Sequence, residues 1–438
     1  MKDKKILIGT ALVMLLLLTT GLSYAYFSTT VKGNDNAKDV VVEAGTLSLV
    51  YTDGPEIKVE NIRPGKTITK EVTVKNTGTL DTNYNIVWQS LINEITNDEL
   101  VLSATCERLN ASGVAEGTCN AISQATISDT TIGRKISIES GITHKYTFTI
   151  LFKETNADQN YNQGKEFNGV LGIEEYKVPD FATDSWSTII ANVKAGNGSE
   201  YAVGSTKEVN LGTTYGTHTL RVANTSTPSE CSTTGFSQSA CGFVLEFADV
   251  IIEHTMNDTA TNVGGWPATT MRTFVNNDIY NSLPEEIKNA IIDTIVVSGH
   301  GNTSGEENFT STDKLYLLSA AEVWADSVSN SNIISNLIDD SIVTDSIILP
   351  LWAVSCSPIN CDTAVNRTRQ LDYYKNLGVT TSNYSGAIKK NETSASKWWL
   401  RSAISSDIDI FFNAASDGNY GSNRASFTGS VSPAFRLG

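Results

Sequence analysis

Two segments near the C-terminal end decide the fold of this chain: Lys397-Trp398-Trp399-Leu400-Arg401-Ser402 and Val431-Ser432-Pro433-Ala434-Phe435-Arg436-Leu437. Between them lies a stretch rich in Ser, Asn, Gly and Asp that shows almost no secondary-structure signal. Aromatic segments suit burial because each ring removes a large apolar area from water, whereas a polar stretch suits display. This pattern predicts a polar surface held on a rigid base, which favours recognition over catalysis and leaves the ligand open.

The predicted binding segment runs from residue 407 to residue 428. Tyr, Ser, Gly and Asn are typical of adaptable recognition loops, because they combine hydrogen bonding with a low ordering cost. The alternative is a solvated loop with turns at Asp417-Gly418 and Tyr420-Gly421. The residues predicted to bind a ligand are Asn413, Asp417, Asn419, Tyr420, Asn423 and Arg424.

Five residues are predicted to form the scaffold beneath that segment: Trp266, Trp398, Trp399, Arg401 and Phe435. Alternation along a strand would place Trp399 and Arg401 on one face and Trp398 on the other. A core role for the tryptophans competes with stacking on a sugar ring. The planar guanidinium of Arg401 suits orienting the last loop through carbonyls or a carboxylate.

The sequence predicts no cofactor, and bound calcium is the alternative. Carboxylate and amide oxygens are the ligands that this hard cation prefers. Four residues supply such oxygens, although their spacing does not fit the twelve-residue calcium loop: Asp407, Asp409, Asp417 and Asn419.

The N-terminus predicts export. Lys2, Lys4 and Lys5 precede an apolar run from Ile6 to Leu18, and Ser23-Tyr24-Ala25 places small residues where a signal peptidase reads. Residues 1–25 are therefore predicted to be a signal peptide cleaved after Ala25. An uncleaved membrane anchor is the alternative, but the run is short for a span of about 20 residues.

The six cysteines predict disulfides. They fall into three close pairs behind the signal peptide: Cys106 with Cys119, Cys231 with Cys241, and Cys356 with Cys361. A zinc site at the last pair is the alternative, and it lacks a second Cys or His pair at ligand spacing.

Length and charge narrow the functional classes. The chain has 438 residues, which suggests two or three domains. A formal net charge of −16 without a basic patch argues against binding nucleic acid or an anionic membrane surface.

Hydrophobic periodicity divides the chain into an all-β part and a mixed part. Residues 26–177 alternate apolar and polar positions, as at Tyr146, Phe148 and Ile150, which predicts a β-sandwich of immunoglobulin-like type. Residues 178–184 are predicted to be a linker. Residues 185–438 predict an α+β domain with helices near 271–280 and from Pro284, and a strand over 313–319.

Three motifs carry a resemblance in the N-terminal part: Ala44-Gly45-Thr46-Leu47, Arg63-Pro64-Gly65 and Lys75-Asn76-Thr77-Gly78-Thr79-Leu80-Asp81. This part resembles the camelysin and biofilm-fibre-subunit family of Gram-positive bacteria. The resemblance implies export through a dedicated signal peptidase and a jelly-roll or Ig-like sandwich. Relatives are often called metallopeptidases, but His-Glu-x-x-His is absent and His144 is the only histidine here. A peptidase activity is therefore not expected.

A second resemblance covers most of residues 245–438. It rests on Gly265-Trp266, Met271-Arg272, Leu283-Pro284, the segment 313–319, Trp398 to Ser402, and Pro433-Ala434-Phe435. These motifs resemble an uncharacterised domain family of exported bacterial proteins. Their order is similar to the C-type-lectin-like fold of formylglycine-generating enzymes and of retroelement variable proteins. Those enzymes need a reactive cysteine pair near the C-terminus, whereas the last cysteine here is Cys361.

Together these observations predict a secreted surface or matrix protein of a Gram-positive bacterium that binds a surface glycan, a cell-wall polymer or a protein. Non-covalent binding requires no catalytic residue, and no enzymatic activity is expected. One alternative is a structural fibre subunit that assembles through its β-sandwich. The other is an enzyme on the formylglycine-generating scaffold.

Overall fold

The computed structural model describes residues 40–44, 47–53, 57–58, 64–127, 131–162, 165–302, 307–325 and 361–438. The chain forms two compact units, Met1–Lys177 and Val178–Gly438. The predicted signal peptide and Cys356 lie outside the described residues.

The described part of the N-terminal unit consists of two antiparallel sheets. Its strands are β1 Val40–Ala44, β2 Leu47–Thr52, β3 Ile57–Lys58, β4 Thr67–Asn76, β5 Thr82–Asn93, β6 Leu100–Leu109, β7 Ala115–Thr118, β8 Ile122–Thr126, β9 Thr131–Ile138, β10 Thr143–Phe152 and β11 Phe167–Glu175, with a short 3-10 helix at Asn160–Asn162. One sheet has the order β1-β2-β4-β10-β6-β7, with β8 also paired to β6, and the other has the order β3-β11-β5-β9.

The two sheets pack face to face around one apolar core. Buried and less buried residues alternate along β10, where Tyr146, Phe148 and Ile150 point inward. The same cluster contains Trp88 and Leu171 from the second sheet. Period-two alternation buries one face of each sheet, so the sequence pattern correctly predicted a sandwich. Its closer assignment as immunoglobulin-like or jelly-roll stays a prediction.

Two of the three predicted disulfides are present among the described residues. Cys106 pairs with Cys119 and Cys231 pairs with Cys241, with Cα atoms 5.0 and 5.9 Å apart. Cys361 is also disulfide-bonded, which removes the thiolate that a zinc site would need.

In its described ranges, the C-terminal unit combines short helices with four sheets. Its helices are α1 Trp186–Lys194, α2 Gly212–Tyr215, α3 Thr270–Phe274, a π-helix Val275–Ile279, α4 Tyr280–Ser282, α5 Glu285–Lys288, α6 Ala320–Val323 and α7 Asp372–Asn376, with 3-10 turns at Gly198–Glu200, Ser229–Ser232, Gln238–Ala240, Trp266–Ala268, Val365–Arg367 and Ser385–Ala387. Its strands are β12 Thr206–Asn210, β13 Thr217–Asn224, β14 Val244–Phe247, β15 Ile252–Thr255, β16 Thr294–Ser298, β17 Phe309–Asp313, β18 Tyr316–Leu317, β19 Lys389–Asn391, β20 Ser394–Ser396, β21 Trp398–Ala403, β22 Ile410–Ala414, β23 Tyr420–Arg424, β24 Thr428–Val431 and β25 Pro433–Arg436.

The two closing segments of the sequence lie inside the two larger sheets. The first sheet has the order β12-β13-β14-β25-β18, and the second has the order β15-β24-β21-β22-β23. Strand β25 contains Phe435, and β21 contains Trp398 and Trp399. Both strands have neighbours on either side, so these segments form the base of the unit. The fold is mostly β with short helices, and a C-type-lectin-like assignment stays a prediction.

Three sequence-based expectations need correction. Residues 178–184 are not a linker, because Phe181 is buried and packs edge-on against Trp186 and Tyr201. The strand expected over 313–319 is split into β17 and β18, because the backbone N–H groups of Lys314 and Leu315 turn away to donate to Asn276. The polar segment expected to lack regular structure forms the β22–β23 hairpin.

Candidate functional site

The tryptophans beneath the hairpin are core residues. Trp266, Trp398 and Trp399 are at most 1% exposed. Each indole N–H donates a hydrogen bond, to the Asp313 carboxylate, the Ala387 carbonyl and the His254 carbonyl respectively. Buried rings with satisfied N–H groups have no face left for a sugar, so stacking of a ligand on the tryptophan pair is excluded.

Arg401 holds helix α6 in place, and not the last loop as predicted. Its guanidinium donates to both oxygens of the Glu322 carboxylate, at 2.6 and 2.5 Å, and to the Leu317 carbonyl at 2.8 Å. Glu322 lies in α6 and also accepts the Ser319 backbone N–H at the start of that helix. Both charged side chains are fully buried. The predicted use of a carbonyl and a carboxylate is correct, but the element that they orient is α6.

A second buried ionic cluster surrounds Glu246 in β14. Its carboxylate accepts hydrogen bonds from Arg221 at 2.7 Å, Lys389 at 2.7 Å and Tyr374 at 2.8 Å. Burial opposes ionisation of Glu246, but the two cations outweigh it and lower its pKa to about 2. Burial also lowers the pKa of Lys389 to about 8, partly offset by Glu246. This cluster joins β13, β14 and β19.

The hairpin register divides the predicted ligand-binding residues between two sides. Asn413 lies opposite Gly421, and Phe411 lies opposite Asn423. Residues opposite one another, and residues two apart, point to the same side of a sheet. Asn413, Asn419 and Asn423 therefore share one side, which is called the amide face below.

The other predicted residues lie elsewhere on the hairpin. Tyr420 and Arg424 point to the opposite side, where the Tyr420 ring meets Trp324 edge-on. Asp417 lies in the turn, and its carboxylate accepts the backbone N–H of Asn419. Arg424 is exposed, and its Nε lies 3.5 Å from Asp409. A ligand on a single side of the hairpin would therefore contact only part of the predicted set.

The amide face contains two buried polar atoms with no hydrogen-bond partner within the described structure: Nδ2 of Asn413 and Oδ1 of Asn419. Asn413 is 2% exposed, contrary to the expectation that it would be displayed. The reason is that β22 is covered on both sides, with Phe411, Phe412 and Ala414 also buried. Leaving a buried donor or acceptor unpaired costs about 1–3 kcal/mol, so such atoms usually have a role.

The four residues considered for calcium do not converge. Asp407 and Asp409 precede β22, whereas Asp417 and Asn419 follow it. A five-residue strand spans about 16 Å, and calcium ligands must lie within about 2.6 Å of the ion. These four residues therefore cannot hold one calcium ion together.

An enzyme of the formylglycine-generating type needs a reactive cysteine, and the described ranges contain no free thiol. Ser298 Oγ and His300 Nδ1 are buried atoms, and neither has a hydrogen-bond partner within the part of the chain that the structure describes. A nucleophile and its base lie within hydrogen-bond reach in the usual arrangement, so these two do not form one here.

Comparison with protein families identifies a region at each end. Residues 2–98 match the family described as camelysin metallo-endopeptidase, and residues 243–438 match a domain of unknown function, DUF6273. A comparison with curated proteins gives no match. The first match does not support the expectation that the chain lacks enzymatic activity, which stays a prediction.

One solved structure, a family 123 glycoside hydrolase from Clostridium perfringens, is similar over 30% of this chain and 26% of its own. The identity is 13% and the TM-score is 0.13, which is too low to carry an argument about fold or activity.

The metal that the first family name implies does not fit the described side chains. The cluster with metal-ligand geometry among them is Cys106, Cys119 and His144, and it lies beyond residue 98. The two sulfurs are bonded to each other in a disulfide, and His144 Nδ1 bonds the Tyr84 hydroxyl at 2.8 Å. Two of the three ligands are therefore unavailable, and no metal chemistry is assigned to this unit.

The disulfides and the camelysin-like region fit an exported protein. Among the helices of the described ranges, none has both the length and the apolar character needed to cross a bilayer. Residues 2–98 are thus similar to the camelysin family, and residues 243–438 are similar to the DUF6273 family.

Proposed function

We propose that this chain is an exported recognition protein of a Gram-positive bacterial surface or matrix. Its C-terminal unit binds a polar ligand non-covalently at the amide face of the β22–β23 hairpin. The ligand class is a surface glycan, a cell-wall polymer or a polar protein segment. The N-terminal sandwich, of Ig-like or jelly-roll type, serves as a stalk, and the C-terminal unit presents the hairpin on a lectin-like base.

One observation carries the proposal. Asn413 Nδ2 is a buried donor and Asn419 Oδ1 is a buried acceptor, and both lack a partner in the described structure. A ligand hydroxyl or amide that enters the amide face beside the half-buried Asn419 and Asn423 accepts from the first and donates to the second. Binding then satisfies groups that are otherwise desolvated without compensation, and this contributes affinity.

The hairpin is held rigidly, which lowers the entropy cost of binding. The turn residue Gly418 has φ +90° and packs so closely that an added Cβ would lie 2.2 Å from the Tyr384 carbonyl oxygen. Gly421 leaves room for the Asn413 amide, because a Cβ there would lie 2.8 Å from Asn413 Oδ1. The backbone at Gly418 therefore requires glycine, and the absence of a side chain at Gly421 gives the Asn413 amide its space.

The amide-face residues Asn419 and Asn423 offer a direct test. We expect the double variant Asn419→Ala/Asn423→Ala to lose binding at least tenfold on an array of glycans and purified cell-wall polymers, because ligand hydrogen bonds of about 1 kcal/mol each are lost. Ser416→Ala, in the exposed turn, is the matched control and should bind as the unmodified chain does.

Two results would contradict the proposal. One is a folded unmodified chain that binds nothing on the array. The other is unchanged binding by the double variant together with loss of binding by Tyr420→Ala, which would move the site to the opposite side of the hairpin.

A further inference from the structure

A polar groove lies in the C-terminal unit between the β12–β13 connection and the helical segment 275–282. It is open to solvent and has a volume of about 610 Å³. Threonine hydroxyls, a tyrosine and three amide or carboxylate side chains line it: Thr213, Thr214, Tyr215, Asn277, Asp278 and Asn281. None of these residues belongs to the amide face.

The first wall of the groove is a closed turn. The Leu211 N–H donates to the Gly216 carbonyl at 2.7 Å, which closes the loop around α2. The Tyr215 carbonyl bonds Nε2 of His218 at 2.9 Å. Gly212 and Gly216 have φ of 79° and 82°, a conformation that other residues rarely adopt. Tyr215 is therefore presented from a rigid backbone.

The second wall is the π-helix Val275–Ile279 and the turn that follows it. Val275 and Ile279 are fully buried and anchor the segment, while Asn277 and Asp278 are exposed. Asn281 lies one turn after Asn277, on the same side. Single π-turns inside helices are rare and are often found at functional sites.

The polar side chains of this wall are free to bind. Within the described structure, the side chains of Asn277, Asp278 and Asn281 make no hydrogen bond or ion pair that ties them to the protein. The adjacent Asn276 differs, because its amide donates to the Arg272 and Leu315 carbonyls and accepts two backbone N–H groups. Asn276 therefore holds the π-helix in place, and its neighbours face the groove.

We propose that this groove is a second binding site and that its ligand is a neutral glycan. The half-buried ring of Tyr215 offers an apolar edge for a sugar ring. The Asp278 carboxylate accepts hydroxyl protons, and the amides of Asn277 and Asn281 both donate and accept. The groove has no cationic side chain among its lining residues, and Asp278 repels anionic ligands. These groups disfavour anionic ligands and hydrogen-bond to hydroxyl groups, which suits a neutral glycan.

The test uses the full chain on an array of neutral oligosaccharides, with Tyr215→Ala and Asp278→Asn as groove variants. We expect each variant to weaken at least tenfold the binding of those oligosaccharides that the amide-face double variant still binds. Asn376→Ala, an exposed asparagine of α7, is the matched control, and thermal unfolding of every variant checks the fold. The double variant Asn419→Ala/Asn423→Ala should keep the binding that depends on the groove, which separates this site from the amide face.

Three results would overturn the inference: no neutral oligosaccharide binds the chain, both groove variants bind as the unmodified chain does, or binding is restricted to cationic peptides included as comparison probes. If the amide-face variant alone abolishes all binding, the groove is not a site and the proposed function stands without it.

Discussion

Arg401→Met is expected to lower the free energy of unfolding by about 3–5 kcal/mol. The change removes the only cation that contacts the fully buried Glu322 carboxylate in the described structure. Removing one partner of a buried ion pair leaves an uncompensated charge in a medium of low polarity, which is strongly destabilising. Urea unfolding followed by tryptophan fluorescence measures the effect, because Trp398 and Trp399 lie in the same strand as Arg401.

The double variant Arg401→Met/Glu322→Leu is the control for this explanation. It removes both charges, and we expect it to be more stable than Arg401→Met alone, because replacing a whole buried pair by apolar groups is often close to neutral. A double variant no more stable than the single one would show that shape, and not charge, causes the loss. If Arg401→Met lowers the free energy of unfolding by less than about 1 kcal/mol, the buried Arg401–Glu322 ion pair is contradicted.

Glu246 is expected to make the C-terminal unit sensitive to acid. Burial opposes its ionisation, but Arg221 and Lys389 lower its pKa from the ordinary 4.5 to about 2. A group whose folded-state pKa is lowered contributes stability above its unfolded pKa and loses it as the pH falls through the folded value. The contribution is therefore complete above about pH 4.5 and is lost by about pH 2. Its size is about 3 kcal/mol, from 1.36 kcal/mol per pKa unit.

Glu246→Gln isolates this effect from the other carboxylates. We expect the variant to be less stable at pH 7, because Arg221 and Lys389 stay buried beside a neutral amide. We also expect its stability to fall less steeply between pH 4.5 and pH 2 than that of the unmodified chain. Urea midpoints across this range measure both. Equal slopes for the two proteins would mean that Glu246 is not ionised with a lowered pKa in the fold.

Local patterns were sufficient to predict much of the fold. Alternation at Tyr146, Phe148 and Ile150 correctly indicated half-buried strands, and proximity along the chain correctly indicated two disulfides. The tryptophan pair and Phe435 are buried, as expected of a scaffold. These features are predictable because each depends on neighbours in sequence.

The candidate site was harder to predict because its key properties depend on distant contacts. Glu322 is buried because Arg401, 79 residues away in sequence, neutralises it. Glu246 accepts a hydrogen bond from Lys389, which is 143 residues away in sequence. Asn413 is buried because both sides of β22 are covered, and no periodicity in a Ser- and Asn-rich segment indicates this. The residues Asp417-Gly418 correctly indicated a turn, but no sequence pattern indicated the strands on either side of it.

The most direct test of the proposed function is Asn413→Leu, measured for both ligand binding and stability. The side chains are similar in size, and the change removes a buried donor that has no partner in the described structure. We predict that stability is unchanged or raised, because an unpaired polar group is removed, while binding on the glycan and cell-wall-polymer array is lost. Full binding by a stable Asn413→Leu protein would contradict the claim that the amide face is the recognition site.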